Sequence, residues 1–452
     1  MAKTKTDVLV IGGGPAGIVA ATVGRRCYPE KKFLLVRKVE EAIVPCGIPY
    51  MFGTLEKSDQ NVIPDDVLAK AGVALVVDEV VSISREHKSC KTAGGSEIEF
   101  EKLVLALGSV PKIPGWLKGA DLPGVLIVPK DKEYLDKALE YLKACERIVI
   151  VGGGFIGVEV ADELRKRGKD VTIVEILPHI LGLVFDEEIA VQVEGLLKGR
   201  GIELRTGVGV KEIVGEERAT GVLLESGETL PADAVVLCMG YRPNTSLAEE
   251  AGIKTNELGF IRVDEYMRTE DPDVFAVGDC AEKRDFLTRR PSTVMLASTA
   301  CAEARIAGMN LYRLSSVKTM GGTIGIFSTC IGEVGFGAAG LTGNMAKKEG
   351  FDIVVGSFSG VDKHPSSMPG GHRQFVKLIV AKESGVVLGG EVVGGPSTGE
   401  LVNLIGLVIQ NRMTLNSIVT AQIGTHPLLT APPTAYPLIK AAEAVAANMK
   451  AT

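Results

Sequence analysis

The sequence predicts an α/β protein with two similar strand–turn–helix units and a C-terminal α+β domain. Three observations predict it. Val8 to Gly17 reads VLVIGGGPAG, an apolar run, a glycine-rich turn and the start of a helical pattern. Val149 to Gly157 reads VIVGGGFIG, the same arrangement about 140 residues further on, as tandem units give. From about Met320 the texture changes to short β-like runs followed by two helical patterns.

The chain has 452 residues, 46% of them hydrophobic, which is enough to bury several cores in roughly two to four domains. A formal charge of −6 and the lack of any basic run argue against a nucleic-acid partner. The start lacks the basic-then-apolar layout of a signal peptide, and glycine and charged residues break every candidate membrane span, so a cytoplasmic protein is expected. Eight cysteines (27, 46, 90, 145, 238, 280, 301 and 330) form no CxxC pair and no regular spacing. That pattern argues against a disulfide scaffold or a metal site, and most of the eight are expected as small core residues.

The first turn carries Gly12, Gly14 and Gly17 in the spacing G-x-G-x-x-G. The first glycine permits a tight turn, the second lets a pyrophosphate approach the backbone, and the third lets helix pack on strand. The helix then offers unpaired N–H groups and the positive end of its dipole to the phosphates. Gly152, Gly154 and Gly157 repeat the pattern, so two Rossmann-like dinucleotide-binding domains are expected. Strands over Phe33 to Val36 and Val171 to Val174 complete the βαβ units. Glu175 ends the second of these strands, where a carboxylate accepts from both ribose hydroxyls, and no Arg or Lys follows it directly. This favours NADH over NADPH; the alternative is a solvated strand end. In the first unit the matching residue is Arg37, with Lys38 beside it. Stacking on adenine, a phosphate contact and plain exposure stay open for Arg37. In the C-terminal part, strands are expected over Phe375 to Val380 and Val386 to Val393, and helices near Glu400 to Asn411 and Pro437 to Met449.

Val274 to Asp279 reads VFAVGD, preceded by Thr269; Leu103 to Gly108 reads LVLALG and Gly240 to Asn244 reads GYRPN. With the two fingerprints, these stretches resemble the FAD-dependent pyridine nucleotide-disulfide oxidoreductases over essentially the whole chain. The resemblance implies an FAD-binding domain in two parts (1–112 and 244–320), an NAD(P)H-binding domain inserted between them (113–243) and a dimerisation domain (321–452). It implies a homodimer. On the FAD side it implies Gly12, Gly14, Pro15, Ala16, Gly17, Arg37, Lys38, Val80, Ala106, Gly108, Gly278, Asp279, Leu296 and Ala297. On the nicotinamide side it implies Gly152, Gly154, Phe155, Ile156, Gly157, Glu159, Glu175 and Gly240. Asp279 is expected to bond the ribityl chain. Phe155 resembles an aromatic gate over the flavin, its other reading being plain packing, and Glu159 resembles the acid near that pocket.

Where two-cysteine members carry C-x4-C, the segment Pro45-Cys46-Gly47-Ile48-Pro49-Tyr50-Met51 has one cysteine. It is similar to the single-cysteine branch: coenzyme A disulfide reductases, persulfide reductases, and NADH oxidases and peroxidases. A lone Cys46 forms either a mixed disulfide with a small thiol or a sulfenic acid. Gly47 and Pro49 suit a helix start that would lower the Cys46 pKa and favour its thiolate. Oxidase and peroxidase members carry a histidine where this chain has Pro15, which turns the reading towards reduction of a coenzyme A disulfide or persulfide. Pro45, Arg25 and Arg26 are expected at the substrate, the arginines near coenzyme A phosphates, although basic residues also suit any helix C-terminus.

The segment Thr425 to Pro433 resembles two family endings at once, with His426-Pro427 of one type and Ala431-Pro432-Pro433 of the other. The tyrosines expected nearby are replaced by Thr430 and by Met368 of Met368-Pro369-Gly370. His426 is therefore the candidate proton donor to a leaving thiolate, acting across the dimer; His364 and His372 are lesser candidates. No rhodanese-like extension follows Thr452, so a diffusible sulfur donor is expected. The alternatives are an NADH oxidase with Cys46 as a sulfenic acid, and an NADH-sensing flavoprotein.

Overall fold

The computed structural model describes residues 3–315 and 320–451. Met1, Ala2, residues 316–319 and Thr452 lie outside the described residues, so the first two residues of the polar start and the chain end lie outside it too.

Two parallel five-stranded sheets organise the first two-thirds of the chain. In the first, the strands run in the order Val274–Ala276, Lys102–Leu105, Val8–Ile11, Phe33–Arg37 and Ala74–Val77. These short, mostly apolar runs are almost wholly buried, as parallel strands covered on both faces require. The strand Val274–Ala276 joins this sheet from well beyond the second one. In the second sheet the order is Val125–Ile127, Ala234–Leu237, Arg147–Val151, Asp170–Glu175 and Glu203–Thr206. The outgoing strand Ser109–Pro111 and the returning strand Tyr241–Pro243 pair antiparallel between the two sheets.

The helix Pro15–Cys27 packs closely on the helix Ala297–Met309 through buried Ala16, Ala20, Ala300, Ala304 and Ala307. Small residues permit that close approach, which is why the second helix shows so little amphipathic pattern. Each parallel sheet also carries a small antiparallel ribbon, Val80–Ser84 with Ser89–Thr92 and Val210–Gly215 with Ala219–Leu224. Their strands mix polar, glycine and apolar residues and are short, so they did not stand out in the sequence.

The C-terminal part is a five-stranded antiparallel sheet in the order Ile326–Ile331, Val334–Gly340, Val387–Gly394, Arg373–Ala381 and Ile353–Val361. The helices Thr398–Gln410 and Pro437–Ala451 cover it. Among the described residues no helix is long and apolar enough to cross a membrane.

Candidate active site

The two glycine turns are built alike at their first, second and third fingerprint glycines. Gly12 and Gly152 have φ of +116° and +111°, and a side chain at either would run into a backbone carbonyl, that of Ala106 or Cys238. A Cβ at Gly17 or Gly157 would strike the carbonyl oxygen of Gly12 or Gly152. At Gly14 and Gly154, by contrast, a Cβ would meet no atom within 4 Å. These two residues precede the helices Pro15–Cys27 and Phe155–Lys166, and no side chain caps either N-terminus. Each turn therefore presents open space beside uncapped amides and a positive dipole end, which fits a pyrophosphate. Pro15 takes the first helical position, where its missing N–H costs nothing.

The turns differ at the end of the next strand. Glu175 is buried, its Oε2 accepting from the Gly153 amide at 2.6 Å and its Oε1 from the Leu177 amide at 2.8 Å, so it is not a solvated strand end. Arg37 is buried as well, which removes the exposed reading. Its Nε donates to the Val39 carbonyl at 3.0 Å, and its two terminal nitrogens engage Asp65 and the Glu40 carbonyl. Lys38 turns outward to Glu79, 2.9 Å away, and Val80 is buried against Leu9, Ile11 and Val36.

Near the first turn, Gly278 adopts φ +78°, and a Cβ there would press on Ala16 at 2.9 Å. It would also lie 3.5 Å from the Cβ of Ala300, so the starts of the helices Pro15–Cys27 and Ala297–Met309 converge on Gly278. Leu296 precedes the helix Ala297–Met309, whose N-terminus also lacks a side-chain cap. Ala106 is buried, while Gly108 and Gly240 have positive φ and open space beside them. Asp279 Oδ2 accepts from Ser109 Oγ at 2.7 Å and Lys130 Nζ at 2.6 Å. Burial works against its charge, but these donors hold the Asp279 carboxyl below the usual carboxylate range.

Cys46 lies in a single 3-10 turn, Pro45–Gly47, followed by a second, Pro49–Phe52, that packs on the helix Phe155–Lys166. Asn61 braces the segment, donating from Nδ2 to the Val44 carbonyl at 3.0 Å. Solvent reaches Cys46, yet the surrounding protein strips away enough water to raise its thiol pKa, and the Glu159 carboxylate raises it further. The expected lowering by a helix start is corrected: two short 3-10 turns supply no sustained dipole, and burial with acidic neighbours prevails. Asp279 and Cys301 also push the thiol up, and Lys130 pulls it down.

Glu159 accepts a hydrogen bond from Thr329 Oγ1 at 2.8 Å, on the C-terminal sheet. Desolvation pushes its carboxyl up to about 7; the Thr329 bond pulls it down and Glu163 pushes it up. Phe155 stacks on Phe327 with ring centroids 5.4 Å apart and meets Phe185 edge-on, so in this structure the ring is packed. Its neighbour Ile156 is partly buried in the same cluster.

Arg25 and Arg26 stand at the far end of the first helix from the glycine turn. Arg25 is committed to the carbonyls of Gly72 and Pro29, at 3.2 and 2.6 Å, whereas Arg26 is exposed. His426 is exposed, and its bonds are local, to Thr430 and the Leu428 amide. His364 Nδ1 pairs with the Thr430 carbonyl at 2.9 Å and His372 with Asp362 at 3.1 Å. Among the described residues, none of the three is hydrogen-bonded to a group named around Cys46. Asp186, Glu188 and Glu391 cluster closely enough to hold a cation, and the Lys377 ammonium stands among them. Lys130, Ser109, Thr329 and Cys301 escaped the sequence reading; each reaches the site from a separate segment and belongs to no motif.

Residues 6–304 match the pyridine nucleotide-disulphide oxidoreductase family, and residues 326–436 match the dimerisation domain of the same family. The chain belongs to this family. It is therefore an NAD(P)H-dependent flavoprotein oxidoreductase, and the family uses FAD and NAD(P)H. A relative from Pyrococcus horikoshii, an NAD(P)H coenzyme A polysulfide/persulfide reductase, is 34% identical over 399 residues, 86% of this chain and 88% of that one. An NADH oxidase of Methanocaldococcus jannaschii is 30% identical over 432 residues, 93% of this chain and 94% of that one. The solved structure of an NAD-dependent persulfide reductase from A. fulgidus superposes with a TM-score of 0.90 at 29% identity, covering 98% of this chain and 84% of that one.

Proposed function

We propose that this oxidoreductase uses NADH to reduce a coenzyme A persulfide or disulfide at Cys46. One observation carries the reading: an exposed thiol, on a turn packed against the helix of the second nucleotide turn, is within electrostatic reach of Glu159 on that helix and of Asp279 beside the first turn. FAD, when bound, supplies the chemistry that takes a hydride from NADH and delivers an electron pair to sulfur.

The chain's own groups do the rest. The first turn and Asp279 hold the flavin nucleotide, and the second turn with Glu175 holds NADH, whose free ribose hydroxyls suit that carboxylate better than a 2′-phosphate. The Cys46 thiolate attacks the coenzyme A sulfur of CoA–S–SH, forming Cys46–S–S–CoA and releasing HS⁻. Two electrons then cleave this bond and return Cys46 and coenzyme A as thiolates, for a net NADH + H⁺ + CoA–S–SH → NAD⁺ + CoA–SH + H₂S. Proton return to the leaving sulfur falls to His426 of a second subunit in the homodimer.

From Ala16 to Arg26 the first helix runs about 15 Å at about 1.5 Å per residue, a span that an extended ligand with terminal phosphates would cover. Coenzyme A has that shape. The relatives' names divide between polysulfide/persulfide reductase and NADH oxidase, and Pro15 leaves no imidazole at the first turn for the oxidase reading.

The test is steady-state turnover of the FAD-loaded enzyme with coenzyme A persulfide, coenzyme A disulfide and oxygen, alongside Cys46→Ser. The reading requires sulfur substrates to be turned over faster than oxygen and the serine variant to keep FAD but lose that turnover. Faster oxygen consumption, or a fully active serine variant, rejects it. Intact-mass analysis of the parent and of Cys46→Ser before and after reductant shows whether released coenzyme A came from Cys46, since Cys330 is exposed as well.

A further inference from the structure

A buried ion pair holds Gly278 by both of its backbone polar groups. The strand Val274–Ala276 runs beside Lys102–Leu105, and the next amide, of Val277, still donates to the Leu105 carbonyl at 2.9 Å. The chain then leaves the sheet for the turn Gly278–Cys280, with φ +78° at Gly278, and the polar groups of that residue lose their strand partner. Glu303, on the helix Ala297–Met309, accepts the Gly278 amide on Oε2 at 2.8 Å. Lys283, which opens the short strand Lys283–Arg284, donates from Nζ to the Gly278 carbonyl at 2.6 Å and to the Ala281 carbonyl at 2.9 Å. Ammonium and carboxylate stand 3.5 Å apart with each side chain 1% exposed, and the ammonium faces the buried Phe260 ring, 6.0 Å from its centroid.

Burying two such charges is a poor way to stabilise a core. Desolvation pushes the Glu303 carboxyl up against the pull of Lys283, and well-packed apolar side chains of the same volume stabilise as much or more. Apolar side chains cannot, however, engage the N–H and the C=O of one residue. Charge-assisted hydrogen bonds are the stronger kind, so the pair fixes the peptide planes on either side of Gly278, the second of which leads into Asp279. The Asp279 side chain is fixed too, because Ser109 and Lys130 both end on its Oδ2. Gly278 is also where the uncapped starts of the helices Pro15–Cys27 and Ala297–Met309 converge.

We propose that Lys283 and Glu303 are positioning residues for the flavin nucleotide, their buried ion pair holding Gly278 so that Asp279 and the two helix starts are preorganised to receive FAD. This rests on the reading that the first turn and Asp279 hold that nucleotide. A pair that only fills the space beneath the turn would set the melting temperature and leave the hold on FAD unaltered.

The rate at which the FAD-loaded enzyme releases FAD on dilution, followed by flavin fluorescence, tests this together with the visible circular dichroism of the bound flavin. The double variant Lys283→Met/Glu303→Gln removes both charges at once, leaves no buried ion unpaired and keeps an acceptor for the Gly278 amide. It should release FAD about tenfold faster than the parent and alter the flavin dichroism. Lys283→Met alone, in which Glu303 can take up a proton, gives the same reading if the double variant does not fold. A folded variant that melts at a lower temperature but releases FAD at the parent rate, with unaltered dichroism, overturns the proposal. Asp279→Ala separates the two failures: release at the parent rate in that variant would remove the flavin from this turn altogether, whereas faster release there with none in the Lys283 and Glu303 variants would reject the pair alone.

Discussion

Arg37 and Asp65 form a two-pronged ion pair across the base of the loop that carries Cys46. The guanidinium side chain is 3% exposed and the carboxylate 50%, and the same guanidinium also holds the carbonyls of Val39 and Glu40. Both ends of the Cys46 loop therefore meet at one buried cation, standing where Glu175 ends the matching strand of the second unit.

The asymmetry of that pair gives the first prediction. Asp65→Ala leaves a buried guanidinium without its counterion, which costs about 2–4 kcal/mol, towards the lower part of the range for broken buried pairs because Asp65 is half solvated. Arg37→Met leaves Asp65 free to hydrate and costs less. Urea unfolding of both variants measures the order; a methionine variant less stable than the alanine one contradicts the clamp.

Glu159 gives a prediction in pH. With its carboxyl at about 7, it is neutral below that pH and leaves Cys46 undisturbed, whereas above it the anion opposes ionisation of the thiol. Glu159→Gln keeps a partner for Thr329 and removes the anion. The Cys46 thiolate should then form at lower pH than in the parent, with the gap widening above about pH 7. The alkylation rate of Cys46 against pH measures this, and a variant that ionises at the same or higher pH refutes it.

What the sequence disclosed follows from the range of the forces involved. The glycine turns are legible because the constraint is local: a positive φ at Gly12 and Gly152 and a carbonyl against Gly17 and Gly157 demand glycine whatever surrounds them. Glu175 is legible because the strand end fixes its place. The ionisation of Cys46 was misjudged because burial and Glu159, more than a hundred residues away, set it, and a short motif carries neither. Lys130, Ser109 and Asp279 meet only once the chain has crossed between the sheets and back. The role of Arg37 was open because its partner Asp65 comes from the far end of a loop, with no periodic pattern to announce it.

The two kinds of glycine give the third prediction. Gly154 has φ −76° and no atom within 4 Å of a Cβ, so alanine fits the protein and fills only the space open to a ligand. Gly154→Ala should retain its melting temperature and its FAD while raising the KM for NADH about tenfold or more. Gly157→Ala forces a Cβ onto the Gly152 carbonyl and should cost about 1–3 kcal/mol of stability. Unaltered NADH binding in a folded Gly154→Ala would place the pyrophosphate elsewhere.

Lys377 gives the last prediction, at the contact between the second nucleotide unit and the C-terminal sheet. Its ammonium lies 2.6 Å from Asp186 and 2.9 Å from Glu391 and also pairs with Glu188. Asp186 in turn accepts from the amides of Gly343 and Asn344, at 2.8 and 3.0 Å. Burial opposes the charge of Asp186, but Lys377 and these amides hold its carboxyl below the usual range; at Glu391 burial prevails and the carboxyl is raised. Lys377→Met strips the cation from two adjoining buried carboxylates, one of which must then keep a proton to remain folded. A carboxyl raised in the folded state contributes stability at low pH that is lost as pH rises through its folded pKa. The variant should therefore be less stable than the parent by about 3–5 kcal/mol near neutrality, with the deficit shrinking towards about pH 5. Thermal unfolding across that range measures it. A deficit independent of pH would mean that Lys377 acts by packing its stem rather than by neutralising Asp186 and Glu391.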